Sequence, residues 1–168
     1  YGGRFVYRKP TPAEIRLQAW AALAKGAKGI AYFLYPSRPP KEKGQPSPME
    51  GLRLYDGKPT PQLEAVTDLA RRLVPHGPTI VRWTRYLLPA ATDRQALRAY
   101  LFKGLDSRAY AVLYNRGVEG TLEGRVRFPF RNGVVHDLIA GRDLKVELDE
   151  NATILAIRLG PGDGTILR

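Results

Sequence analysis

Hydrophobic positions follow two different periods along this chain, and the change falls near residue 78. In the first part, Thr11-Pro12-Ala13-Glu14 marks a helix start. Thr11 can cap, Pro12 supplies the fixed φ of the first helical position, and Glu14 closes a capping box. Leu17, Trp20, Ala21 and Ala24 then recur at helical spacing, with Leu23 and Ala27 widening the stripe, and Gly26 and Gly29 end it. Next comes Ile30-Ala31-Tyr32-Phe33-Leu34-Tyr35, apolar on both sides and stopped by Pro36. A strand without alternation is the mark of a parallel sheet covered on both faces. A Pro- and Gly-rich loop runs from Pro36 to Lys58, a length at which loops tend to be functional or mobile. Thr60-Pro61 opens a second helix, with Leu63, Val66, Ala70, Leu73 and Val74 on one face and Pro75, Gly77 and Pro78 closing it.

From Thr79 onward the pattern is that of short strands. Val81–Leu88, Leu97–Phe102, Tyr110–Tyr114, Arg125–Phe130, Val134–Leu138, Leu144–Leu148, Thr153–Leu159 and Thr165–Leu167 alternate or are rich in β-branched and aromatic residues. Turn signals separate them at Asn115-Arg116-Gly117, Asn132-Gly133, Ala140-Gly141, Asp149-Glu150-Asn151 and Pro161-Gly162-Asp163-Gly164. Strands at this spacing, without helices between them, predict an antiparallel sandwich.

The fold class expected is therefore α/β plus all-β. Residues 1–78 read as one helix–strand–helix unit of a (β/α)₈ barrel, incomplete in this chain, and residues 79–168 as an antiparallel β-sandwich. A strand apolar on both faces needs neighbours on both edges. Residues 1–78 offer no second convincing strand beyond Arg4–Tyr7, and a closed barrel takes about 250 residues.

Composition narrows the picture. The 168 residues are 43% hydrophobic, enough for a packed core, and hold no apolar run long enough to cross a membrane. The chain opens Tyr1-Gly2-Gly3-Arg4 without a basic-then-apolar leader, which for a piece of a longer polypeptide says nothing of secretion. With no cysteine, disulfides, thiolate metal sites and a Cys nucleophile are excluded, and the compartment stays open. The net charge of +11 raises nucleic-acid binding. The excess is spread, however: 13 basic against 6 acidic residues in 1–78, and 14 against 10 in 79–168. Arg125-Val126-Arg127-Phe128 alternates as a solvated strand face does. Nucleic acid and membrane are not expected partners. The large Arg share also suits a heat-stable protein.

The stretch from Arg8-Lys9-Pro10-Thr11-Pro12-Ala13-Glu14 through Gly26-Ala27-Lys28-Gly29-Ile30-Ala31-Tyr32-Phe33 resembles one found in (β/α)₈-barrel glycoside hydrolases, the β-galactosidase-like retaining families among them. There it leads into the eighth barrel strand. Gly51-Leu52 and Asp56-Gly57-Lys58-Pro59-Thr60 resemble the loop into the eighth helix. Tyr110–Asn115, His136-Asp137-Leu138 and Leu159-Gly160-Pro161-Gly162-Asp163-Gly164 resemble the small β domain that follows. The resemblance implies a carboxyl-terminal fragment of an enzyme acting on O-glycosidic bonds of oligo- or polysaccharides. It also implies that both catalytic carboxylates lie upstream of Tyr1, so no catalytic residue is assigned here and the chain alone is expected to be inactive. The remainder of the barrel and a carbohydrate are the partners implied, and homo-oligomerisation stays open.

Three residues are candidates for substrate binding. Tyr35 ends the barrel-like strand, where an aromatic ring can stack on a sugar or pack in the barrel mouth. Glu50 and Asp56 lie in the following loop and can bond sugar hydroxyls, against the ordinary reading of a solvated acid and an Asp-Gly turn. Tyr32 and Phe33 are expected in the core. His76 and His136 have no partner at ligand spacing, and neither a metal nor a cofactor is expected. Trp83 reads as packing at the domain junction or as a sugar platform. The competing functions are a non-catalytic carbohydrate-binding or structural module, and charge-driven nucleic-acid binding.

Overall fold

The computed structural model describes residues 8–42, 49–85 and 90–168. The expected strand at Arg4–Tyr7 and the end of the run Val81–Leu88 lie outside these residues. The helix α1 (Pro12–Ala24) begins as its sequence demands: Thr11 Oγ1 accepts from the Glu14 amide at 3.2 Å, and the Glu14 carboxylate accepts from the Thr11 amide at 2.8 Å. The helix α2 (Pro61–Leu73) is capped by Thr60, whose Oγ1 accepts from the Leu63 amide at 3.3 Å, with Leu63 in the place of a box-closing acid.

Pro75, Gly77 and Pro78 do not end the helical path. A 3₁₀ turn over Val74–His76 continues into the one-turn helix α3 (Gly77–Ile80). Each proline occupies a first-turn position, where its missing N–H has no carbonyl to serve.

Among the described residues ten strands follow, all paired antiparallel: β1 (Thr84–Arg85), β2 (Ala91–Thr92), β3 (Leu97–Lys103), β4 (Ala109–Asn115), β5 (Leu122–Phe128), β6 (Val135–Asp137), β7 (Arg142–Leu144), β8 (Glu147–Asp149), β9 (Ala152–Leu159) and β10 (Gly164–Leu167). One sheet has the order β1-β3-β4-β10-β6-β7 and the other β2-β5-β9-β8. The run Leu144–Leu148, expected as one strand, divides between β7 and β8, which belong to different sheets. Strand β2 was not foreseen; two residues are too few to show a period.

The two sheets enclose one core, in which Leu97, Leu101, Ala111, Leu113 and Leu167 meet Val126, Phe128, Leu155 and Leu159. The opposite face of the six-stranded sheet carries a second core, where Phe102, Tyr110, Val112, Tyr114 and Ile166 meet Trp20, Leu23, Leu69 and Trp83. Strand β4 thus sends even-numbered residues to the helices and odd-numbered ones to the sandwich, and every residue from Tyr110 to Asn115 is buried. Trp83 packs against Phe102 and Tyr110, with ring centres 5.3 and 5.0 Å away. On the outer face of the four-stranded sheet Arg125 and Arg127 are exposed, while Val126 and Phe128 point inward.

The docking of helices on the sheet is specific. Trp20 Nε1 donates to Asp163 Oδ1 at 3.1 Å, and Arg72 donates to the same oxygen at 2.8 Å and to the Gly164 carbonyl at 2.8 Å. Gly162 takes φ +64° with a would-be Cβ only 2.0 Å from the Ala13 carbonyl oxygen, so no side chain fits there. At Gly164 a Cβ would lie 2.6 Å from the Trp20 ring.

The segment Ile30–Tyr35 is not a strand. The expectation of a barrel strand is not met among the described residues, for a physical reason: no backbone hydrogen bond between them engages residues 30–33. From Ala31 onward its side chains nevertheless alternate, Ile30 being exposed as well. Tyr32 and Leu34 are half-buried, and Tyr32 packs on the helix–sheet core, whereas Ala31, Phe33 and Tyr35 are exposed. Phe33, expected in the core, is 84% exposed. A cis peptide joins Phe33 to Leu34. The stripe on α2 also differs from expectation. Ala65 and Leu69 face the sheet, while Val66, Ala70, Leu73 and Val74 line an open groove of about 320 Å³ together with Leu23, Ala27, Ile30 and Tyr32. Val74 is 71% exposed.

Candidate functional site

Past Tyr35 two arms of the chain, residues 36–38 and 49–53, lie side by side. Pro36 stops the extended run, and Ser37 becomes a buried knot: its hydroxyl donates to the Arg53 carbonyl at 2.8 Å and accepts from the Gly51 amide at 2.9 Å. The Leu52 amide donates to the Leu34 carbonyl, and the Arg53 amide to the Tyr35 carbonyl, both at 2.8 Å. Gly51 is required at this crossing, because a Cβ would lie 2.5 Å from the Leu34 oxygen and 2.7 Å from that of Tyr35. Thr60, the cap of α2, ties the return arm to the helix by donating its hydroxyl to the Leu52 carbonyl at 2.6 Å.

This knot brings Tyr35 and Glu50 onto adjacent arms. Tyr35 is 52% exposed on the same side as Phe33. Glu50 accepts from Lys9 Nζ at 2.9 Å, and both line a small cleft, about 70 Å³, with Tyr32, Phe33, Leu34 and Gln62. Two buried polar atoms of that lining, Tyr32 Oη and Gln62 Oε1, have no hydrogen-bond partner among the described residues, and burial pushes the Tyr32 phenol up. Asp56 stands apart, at the tip of a turn in which Gly57 takes φ +87°. Its carboxylate accepts from the Lys58 amide at 3.1 Å and pairs with Lys58 Nζ at 3.0 Å. The Lys58 side chain, and then its amide, hold the Asp56 carboxyl below its usual range.

A general acid needs a raised pKa, and Asp56 is shifted the other way. Glu50 is paired to a lysine. Among the described residues no group of three His, Cys, Asp or Glu could hold a metal, and no helix is long and apolar enough to cross a membrane. His136 Nδ1 lies 2.7 Å from Asp143, its cross-strand partner, on the sandwich.

Sequence reasoning missed Phe33, Ser37, Gly51 and Lys9. Phe33 was legible in principle, since it shares parity with Tyr35 along an extended segment. The other three act through contacts between arms more than ten residues apart, which no local pattern encodes.

No protein-family model matches the chain, and no curated protein does. Solved structures of similar shape include a family 39 glycoside hydrolase from the gut symbiont Bacteroides cellulosilyticus, at 16% identity over 93% of this chain and a TM-score of 0.46. Another, provisionally named an alpha-galactosidase/melibiase, comes from Bacteroides fragilis, at 13% identity over 93% of this chain and a TM-score of 0.42. This chain spans 29% of the first and 27% of the second.

Proposed function

We propose that this chain is the carboxyl-terminal part of a glycoside hydrolase acting on oligo- or polysaccharides, divided near residue 78 into the last helix–strand–helix of a (β/α)₈ barrel and a β-sandwich. The observation that carries the reading is the state of Ile30–Tyr35. It is a hydrophobic ribbon covered by helices on one side and, among the described residues, bare on the other and unpaired along residues 30–33. A barrel strand stripped of its neighbours presents this geometry: Tyr32 and Leu34 toward the helical ring, Phe33 and Tyr35 toward the barrel interior, and no ladder along residues 30–33 among the described residues. The apolar groove beside α2 fits the same reading, since barrel helices bury such a stripe on flanking strands. The sequence resemblance of Arg8–Phe33 points the same way.

On this reading Tyr35, at the carboxyl end of the strand, faces the sugar, with Glu50 beside it. The hydrolytic carboxylates come from polypeptide outside this chain. The sandwich holds α1 and α2 in place through Trp20, Arg72 and Asp163. The test is an assay of aryl glycosides with the purified chain and with a longer polypeptide that carries the rest of the barrel. Turnover is expected from the longer polypeptide only, and turnover by the 168 residues alone would overturn the reading.

A further inference from the structure

A second feature lies on the helix-facing side of the six-stranded sheet, away from the Tyr35 loop. Parity along β3 and β4 puts Arg98, Tyr100 and Tyr114 on one face, with Arg98 directly opposite Tyr114 in register. Arg116 follows two residues after Tyr114, tied by its amide to the Ala96 carbonyl at 2.8 Å. The two tyrosine rings stack, with centres 6.3 Å apart and planes within 8°. Lys25, just past the end of α1, places Nζ 4.6 Å from the centre of the Tyr100 ring, and Arg85 of β1 places Cζ 5.1 Å from it.

Two cations therefore cap the Tyr100 ring, Arg98 stands in register with Tyr114 and Arg116 follows two residues after it, and none of the four forms an ion pair with a carboxylate among the described residues. The contrast with the outer sheet is informative. There Arg125, Arg127 and Arg158 lie within ion-pair distance of Glu147, Asp149 and Glu123 respectively. The local field is felt by the phenols. A hydrogen bond from Lys25 holds Tyr100 below its usual value, with Arg98 adding to the effect. Tyr114, raised by burial, is pulled back by the charges of Arg98 and Arg116. Like charges gathered without acids repel one another, and an anion removes that cost while gaining charge-assisted hydrogen bonds.

We propose that Lys25, Arg85, Arg98 and Arg116, arranged around Tyr100 and Tyr114, bind the carboxylate or sulfate groups of an acidic oligosaccharide. The carbohydrate part of this assignment rests on the function proposed above; the anionic part rests on the cluster itself. Nucleic acid fits less well. Single strands are held by stacking bases on open aromatic faces, and here Tyr114 is buried and Tyr100 is already stacked on it and capped by two cations. The site offers charge and a phenol hydroxyl, which suit a hydroxyl-rich anionic chain.

The test uses the full chain in isothermal titration calorimetry at low salt with three probes: a hexamer of galacturonate, cellohexaose and an oligothymidylate. The hexagalacturonate is expected to bind, and the pair Arg98→Gln with Arg116→Gln to weaken it by about tenfold, the scale of one lost charge-assisted bond. The pair Arg125→Gln with Arg127→Gln removes the same charge from the outer sheet and should change affinity less than about twofold. Should the first pair fail to fold, Lys25→Gln with Arg85→Gln, both exposed, replaces it with the same expectation. Equal losses from both pairs, or no hexagalacturonate binding, would overturn the proposal. Binding of cellohexaose without preference for the acid would sink it while leaving the carbohydrate reading intact. Binding of oligothymidylate alone would sink both. A sulfated hexamer in a fourth titration separates sulfate from carboxylate as the preferred group.

Discussion

Two segments of this chain read alike and fold differently. Ala109–Asn115 and Ile30–Tyr35 are both apolar at consecutive positions, without the alternation of a one-faced strand. In β4 the demand this makes is met from within: β3 and β10 pair with its two edges, the helices cover one face and the second sheet the other. For Ile30–Tyr35 only the helical side is met among the described residues. The lesson concerns what non-alternation means. It reports that both faces will be covered, by helices over an antiparallel sheet as readily as in a parallel one, and it leaves open where the cover comes from.

The comparison can be broken experimentally. The largest effect is expected at the centre of β4, where Leu113 is fully buried. Leu113→Ala should cost about 3 kcal/mol, the sum of lost transfer energy and a residual cavity, measured by urea unfolding. Phe33→Ala should cost less than about 0.5 kcal/mol in the same chain, because the ring touches little. A cost at Phe33 matching that at Leu113 would show that the ribbon is covered after all.

A smaller effect is expected where the two regions join. Arg72→Met removes the bonds to Asp163 and to the Gly164 carbonyl and leaves the packing over Trp20 largely in place. About 1–2 kcal/mol should be lost, since hydrogen bonds to charged groups at a half-buried site are worth roughly that. Loss of the helical signal at a lower denaturant concentration than the sandwich signal would sharpen the comparison, by separating the helices from the sheet they cover.

The smallest effect is electrostatic and lies at the start of α1. The Arg8 side chain, and then the Thr11 amide, lower the Glu14 carboxyl from its ordinary 4.5 to about 2. A depressed carboxyl adds stability above its unfolded pKa, and the contribution disappears as pH falls through the folded one. The difference in melting temperature between the native chain and Glu14→Gln should therefore be constant above pH 4.5 and shrink toward zero near pH 2. A difference that grows on acidification would contradict the assignment.

Much of this architecture was legible from residues alone. Both helix starts follow from Thr-Pro dipeptides, and strands β3, β4, β9 and β10 lie within a few residues of their sequence patterns, because period and turn chemistry are local. What escaped was non-local. The passage through Pro75 and Pro78 depends on each proline falling in a first turn, and the division of Leu144–Leu148 between sheets depends on which partner each half meets. At the candidate site Tyr35, Glu50 and Asp56 were legible as residue types near a strand end, yet only the Ser37–Gly51 knot puts Tyr35 and Glu50 on adjacent arms and leaves Asp56 on a separate turn. The groove along α2 was legible as a stripe, but its openness was not, since a stripe does not say whether its cover belongs to the same chain.

Amide hydrogen exchange reads the central contrast directly. In the isolated 168 residues, the amides of Ala31, Tyr32 and Phe33 should exchange near open-chain rates while those of Val112 and Leu113 exchange only through global unfolding. In a longer polypeptide that supplies the rest of the barrel, the first group should become as slow as the second. Strong protection of Ala31–Phe33 in the isolated chain, or none in the longer one, would contradict the claim that this ribbon is a barrel strand completed from outside.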